Sequence, residues 1–144
     1  MKTMKINFII PSWHYYADPL KHQPYWELYY ATILKKQGFQ VQIYDMRISL
    51  KKTLFERIDE IEKSDYYFYW IFKTGDASEI YTIAKNLKNK YPNSIQAAGG
   101  THVDKCQDEC SIYFDSIVLG AGESSFGKII KDNENNNLKK EYFI

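Results

Sequence analysis

Cysteine is almost missing from this chain: two residues in 144, Cys106 and Cys110, too few for a disulfide framework. An excess of either charge is missing too. The net charge is +1, and lysines and acids are interspersed with no like-charge block beyond Lys-Lys pairs, which argues against a nucleic-acid or membrane surface. No apolar run approaches the roughly 20 residues of a membrane span. The start, Met1-Lys2-Thr3-Met4-Lys5, leads into a short apolar run cut by Pro11, shorter than the core of a signal peptide. The expectation is a cytoplasmic protein.

Catalytic constellations are also missing. No Ser-His-Asp set, paired-carboxylate site or His-Glu-x-x-His occurs, so no catalytic residue is assigned. His14 stands alone in an aromatic loop. Cys106 and Cys110 lie four apart on one face of an expected helix, and two thiols fall short of the ligand set a metal site needs. They read as ordinary thiols, and no metal ligand is assigned.

What is present is an ordinary globular composition, 44% hydrophobic and 26% charged, long enough for one domain that buries roughly 70% of its unfolded surface. Apolar runs alternate with helical stripes. Ile6–Ile10 reads as a strand ended by Pro11. Pro24 suits a first helical position, with a stripe of Trp26, Tyr29, Tyr30 and Ile33 after it and a terminating Gly38. Val41–Asp45 is a second strand and Leu54, Ile58 and Ile61 mark a second helix. Asp65–Phe72 is a third strand without a polar face, so both its sides should be covered. Asp76 and Glu79 form a capping signal ahead of a stripe of Ile80, Ile83, Ala84 and Leu87. Ile95–Ala98 and Ile117–Leu119 are further strands, and a helix can run from Ser124 through Ile130. Strict alternation implies an α/β three-layer sandwich, flavodoxin-like, with a five-stranded parallel sheet in the order 2-1-3-4-5. Residues 1–131 form the domain, and the polar run from Asp132 reads as a tail or linker.

Two glycine turns stand at strand carboxyl ends, where open α/β sheets bind ligands. Gly99-Gly100-Thr101-His102 lets a ligand approach the backbone, or is a plain turn into a helix. Gly120-Ala121-Gly122-Glu123-Ser124-Ser125-Phe126 sets hydroxyls at a helix start that favours polar or anionic groups, or is a capped helix with Ser124 as cap. It is neither a dinucleotide-binding fingerprint nor a P-loop.

These motifs carry a family likeness. The chain resembles the cobalamin-binding domain found at the N-terminus of many radical S-adenosylmethionine enzymes. The matching features are Ile9-Ile10-Pro11, Leu34-x-x-x-Gly38-x-x-Val41, Asp45, the third strand from Asp65, Gly99-Gly100-Thr101-His102, and Gly120-Ala121-Gly122-Glu123 with Ser125-Phe126. The resemblance covers about residues 5 to 131. It implies cobalamin on the strand ends, with its nucleotide tail between the first and third strands. Pro11, Ser12, Thr74, Gly75, Gly99, Gly100, Thr101, His102, Gly120, Gly122, Glu123 and Ser125 are its implied contacts. S-adenosylmethionine and an iron–sulfur cluster would belong to a radical S-adenosylmethionine domain, joined in cis or in trans, because Cys106-x-x-x-Cys110 lacks the third cysteine of that cluster motif.

The chain departs from the family pattern at four places. Thr101 replaces a proline and Ala121 a glutamate. Ser12-Trp13-His14-Tyr15-Tyr16-Ala17 lacks the Asp-x-His-x-x-Gly motif that ligates cobalt, so the resemblance implies a base-off, His-off corrinoid. Trp70-Ile71-Phe72 stands where Ser-x-Leu is expected. A slot filled by Trp70 would favour a second reading, a non-catalytic interaction domain presenting Trp13, Tyr15, Tyr16 and Tyr25 to a partner protein.

Overall fold

A computed structural model describes residues 4–13, 18–48 and 52–143. The order is β1 (Lys5–Ile10), α1 (Tyr25–Lys36), β2 (Gln40–Asp45), α2 (Leu54–Asp59), β3 (Tyr66–Trp70) and, after a 3-10 turn at Thr74–Asp76, α3 (Ala77–Lys90). Then come β4 (Ile95–Gly99), α4 (Thr101–Lys105), α5 (Gln107–Tyr113), β5 (Ser116–Val118), α6 (Ser125–Glu134) and β6 (Glu141–Tyr142). The strands form one parallel sheet in the order 2-1-3-4-5-6. The flavodoxin-like arrangement expected from the sequence is present, with one strand more. Among the described residues no helix is long and apolar enough to cross a membrane.

The pleat of β3 sorts the core. Tyr67 and Tyr69 point into a cluster with Ile58 of α2, Ile80, Ile83 and Leu87 of α3, Val103 of α4 and Cys110 of α5. Tyr66, Phe68 and Trp70 point the other way, into Tyr30 and Leu34 of α1 and Phe126, Ile129 and Ile130 of α6. Every residue of β3 is buried, as its lack of a polar face requires.

Three local expectations change. The stretch read as a tail folds: α6 runs on to Glu134, Asn136 takes a positive φ of 55°, and Glu141–Tyr142 pairs with β5. Asparagine tolerates the left-handed turn, and buried Tyr142, whose hydroxyl donates to Asp132 at 2.9 Å, anchors the last strand. Asp76 does not cap α3, and Glu79 is drawn to Ser12 instead. The capping box lies on α2, where Thr53 and Glu56 bond each other's backbone N–H; Thr-x-x-Glu at 53–56 is its sequence signature. Finally, the single helix expected between β4 and β5 is two short ones, broken at Cys106.

Helix α1 is rotated from its expected stripe. Its buried residues are Glu27, Tyr30, Ala31 and Leu34, whereas Trp26 and Tyr29 are each 36% exposed. The rotation buries a carboxyl. Burial pushes Glu27 from an ordinary 4.5 up to about 7; the hydrogen bond from its own backbone N–H and the charge of Arg47 oppose that rise, and Asp45 and Asp76 add to it.

A raised folded-state pKa means that the native protein holds the extra proton between the two values. Stability therefore falls as pH rises from about 4.5 to 7 and is flat above, by roughly 3 kcal/mol if the whole shift is expressed. Urea unfolding at pH 5 and pH 8 should show this loss, and Glu27→Gln should remove most of it. An equal pH slope in both proteins would refute the assignment.

Candidate functional site

The carboxyl ends of β1, β3, β4 and β5 form one edge, and both glycine turns lie on it. At the end of β4 the backbone is committed to the sheet. Ile71 N–H donates to the Gly99 carbonyl at 2.7 Å, and His102 N–H donates to the Ile71 carbonyl at 3.0 Å. Gly100 between them has φ of +113°, and a Cβ there would lie 2.5 Å from the Ile71 carbonyl oxygen. Only glycine fits such a position. At the end of β5, Gly120 also has positive φ, +71°, but a Cβ would meet open space. Its N–H donates to Asp104 at 2.9 Å, and Gly122 N–H donates to the Tyr30 hydroxyl at 3.2 Å.

The space these turns leave is not empty. A Cβ on Gly99 would sit 2.6 Å from Cζ3 of Trp70, and one on Gly122 would sit 3.2 Å from the same atom. The indole is wedged between the two turns, 7% exposed, with Tyr30 at 4.6 Å and Trp26 at 5.9 Å between ring centroids. Its Nε1 is buried without a hydrogen-bond partner, which has a real desolvation cost. The missing side chains of Gly99 and Gly122 thus make room for the protein's own tryptophan.

The residues named from the sequence divide accordingly. Thr74, Gly75, Thr101 and Gly120 are exposed on the edge, and Glu123 is half-buried beside them. Pro11, Gly99, Gly100, Gly122 and Ser125 are buried. Ser12 is buried in a polar network: its N–H and hydroxyl both donate to the Glu79 carboxylate, and Arg57 Nη1 donates to its oxygen at 2.7 Å. That network ties β1 to α2 and α3 and has no counterpart in the sequence reading, because its members lie 45 and 67 positions apart. His102 is buried, with Nδ1 3.1 Å from the Thr74 hydroxyl and Nε2 2.7 Å from that of Tyr81. Cys106 and Glu109, four and seven residues further on, come close to it in space, a His-x-x-x-Cys-x-x-Glu spacing that the sequence reading passed over. His14, Tyr15, Tyr16 and Ala17 lie outside the described residues.

Beside the wedge is a cavity of about 200 Å³, walled by Trp13, Tyr25, Trp26, Trp70 and Phe72 and floored by Glu27 and Asp76. It opens between the ends of β1 and β3, where strand order reverses. Arg47, clamped on Asp45 at 2.7 Å and holding the carbonyls of Pro19 and His22, lies 4.7 Å over the Trp13 ring. Pockets for drug-sized ligands measure roughly 300–1,000 Å³, so this one is too small for the tail of a large cofactor while Trp70 stays in place. The edge at Gly75, Thr101 and Gly120 is exposed; the slot behind it is filled by Trp70.

The wedge predicts a graded cost of adding one methyl group. Gly99→Ala must displace the indole and should cost about 1–3 kcal/mol. Gly120→Ala meets no atom and should cost about 1–2 kcal/mol through its φ alone. Gly100→Ala combines positive φ with a backbone clash and should be the most damaging of the three. Urea unfolding of the three variants checks the order, and a neutral Gly99→Ala would show that Trp70 is not packed as described.

No curated protein matches the sequence. Among solved structures, the chain is similar to the cobalamin-dependent S-adenosylmethionine radical enzyme OxsB with aqua-cobalamin bound. The TM-score is 0.71 and the identity 16%, over 96% of this chain and 20% of that one. At that identity the likeness shows the fold, and the chain spans about a fifth of the enzyme's length. The family model of the B12 binding domain matches residues 18–130, which include all of α1 to β5 and both glycine turns. This chain belongs to the B12-binding domain family.

Proposed function

We propose that this chain is the corrinoid-binding module of a cobalamin-dependent radical S-adenosylmethionine protein. In this reading it seats cobalamin on the carboxyl edge of the sheet, and a partner domain with the iron–sulfur cluster and S-adenosylmethionine does the chemistry. The observation that carries it is the B12-binding family match across both glycine turns. Gly75, Thr101, Gly120 and Glu123 are the proposed contacts at the surface, with Thr74 and Ser125 as further hydroxyls. Gly99, Gly100 and Gly122 shape the slot for the nucleotide tail, which opens when Trp70 swings out. The corrinoid is held base-off and His-off: both ring nitrogens of His102 are engaged within the protein, and the loop at His14 lacks the ligating motif. Cys106 and Cys110 form no disulfide, in keeping with a reducing cytoplasm.

The closed slot favours a second reading, a domain of the same family that acts through protein contacts. Tyr25, Trp26 and Tyr29 cluster on the first turns of α1, at least 36% exposed, with ring centroids 5.1 and 5.9 Å from Tyr25. Exposed aromatic clusters of this kind mark interfaces.

Hydroxocobalamin mixed with the purified chain, then desalted and read by visible spectrum, separates the two. The corrinoid reading expects retained cobalamin, with a spectrum unchanged by His14→Ala. Trp70→Ala should bind tighter by roughly 10- to 100-fold, if the open state is a 1–10% population that the variant makes dominant. Absence of corrinoid from both wild type and Trp70→Ala, each folded by circular dichroism, overturns this reading in favour of the second.

A further inference from the structure

We propose that the α4–α5 junction is a zinc site, with His102 Nε2, Cys106 Sγ and a Glu109 carboxylate oxygen as its three protein ligands. The three ligand atoms lie within 4.8 Å of one another, and His102 Nε2 is 3.4 Å from Glu109 Oε2. Their i, i+4, i+7 spacing sets the three on one helical face, and the break at Cys106 does not separate them. His102 sits in the first turn of α4, Cys106 at the junction and Glu109 in the first turn of α5, so the three donors converge on one side.

The donors point to the metal. Imidazole nitrogen, thiolate sulfur and carboxylate oxygen together suit zinc, whereas magnesium and calcium take oxygen ligands. Zinc bonds of about 2.0–2.3 Å set tetrahedral ligands roughly 3.5 Å apart. The site must therefore close by about 1 Å at its widest. The two ligands that have to move can do so, since Cys106 is half-buried and the Glu109 side chain is 54% exposed. His102 need not move. The Thr74 hydroxyl at 3.1 Å holds Nδ1 and aims Nε2 at the other donors, the outer-shell arrangement that fixes a metal-binding histidine.

The Tyr81 hydroxyl bridges two of the donors, 2.7 Å from His102 Nε2 and 2.6 Å from Glu109 Oε2. A divalent cation bound by both groups takes its place between them. Cys106 binds as thiolate, releasing its proton to solvent. Cys110 is fully buried, with its sulfur 3.4 Å from the Tyr81 hydroxyl, and stands outside the converging donors; it is not a ligand, and a water takes the fourth position. An open groove lined by Thr74, Tyr81, His102, Glu109 and Tyr113 gives the ion its path.

The site goes beyond the corrinoid reading and is tested without any corrinoid. The chelator-stripped chain is titrated with Co2+, which reports a thiolate ligand through a sulfur-to-cobalt charge-transfer band, and then with Zn2+ to displace it. One equivalent should bind with that band. Cys106→Ser should abolish the band, Cys110→Ser should keep it, and Thr74→Ala should weaken binding by roughly 10- to 100-fold. No thiolate band in wild type, or a band that survives Cys106→Ser or disappears in Cys110→Ser, overturns the proposal, provided that circular dichroism shows the variants folded.

Discussion

The contact on which this structure turns is that of the Trp70 indole with two residues that have no side chain. Trp70 ends the central strand, and Gly99 and Gly122 flank it from the neighbouring turns. Because the indole lies there, α1 meets the sheet through Tyr30 and Trp26, and α6 through Phe126, in tilted and edge-on contacts around one ring system. Aromatic packing of this kind contributes about 0.5–1.5 kcal/mol per pair beyond area burial. The face that holds α1 and α6 therefore converges on the same point as the ligand edge. A ligand that enters between the glycines competes with the core of that face rather than filling an existing hole.

The opposite face adds buried polar contacts to its apolar cluster. Ser12, Glu79 and Arg57 form a buried set, with Arg57 also reaching the Met46 carbonyl. Breaking a buried charge network leaves an uncompensated ion, which costs far more than the net gain from forming it. The loop ends after β1 and β2 are thereby pinned to α2 and α3, leaving the α1 side as the one that can yield. Glu27 and its raised carboxyl lie on that side, next to the cavity.

Much of the fold was legible because it depends on local periodicity. Alternating strands and helices, the fully apolar β3 and the glycine turns are short-range patterns, and the strand order arises from their alternation. The orientation of α1 was not legible: Trp26, Tyr29, Tyr30 and Ile33 make as good a stripe as the true one, and nothing in the sequence marks Glu27 as buried. The sixth strand was hidden by its neighbours, since two residues behind a run of asparagines look like tail until Tyr142 finds its pocket. The glycine turns are legible, and so is Trp70 as a candidate to fill the slot, but its seat between Gly99 and Gly122 is not. Which side chain enters a gap between two glycines is decided by a strand that lies far away in sequence. The junction at Cys106 has no strong breaker residue to announce it, although His102-x-x-x-Cys106-x-x-Glu109 already sets three donors on one helical face.

The short strand β6 has an effect out of proportion to its length. Without it, β5 would be the border of the sheet, with a row of unbonded backbone groups along its outer side. The Ile117 N–H and Leu119 N–H instead donate to the carbonyls of Lys140 and Tyr142 at 2.9 and 2.7 Å. The new border is two residues long, too short to serve as a template for another chain. The strand that leads into the Gly120 turn is thus covered on its outer side, and the longer border of the sheet is β2 at the other end.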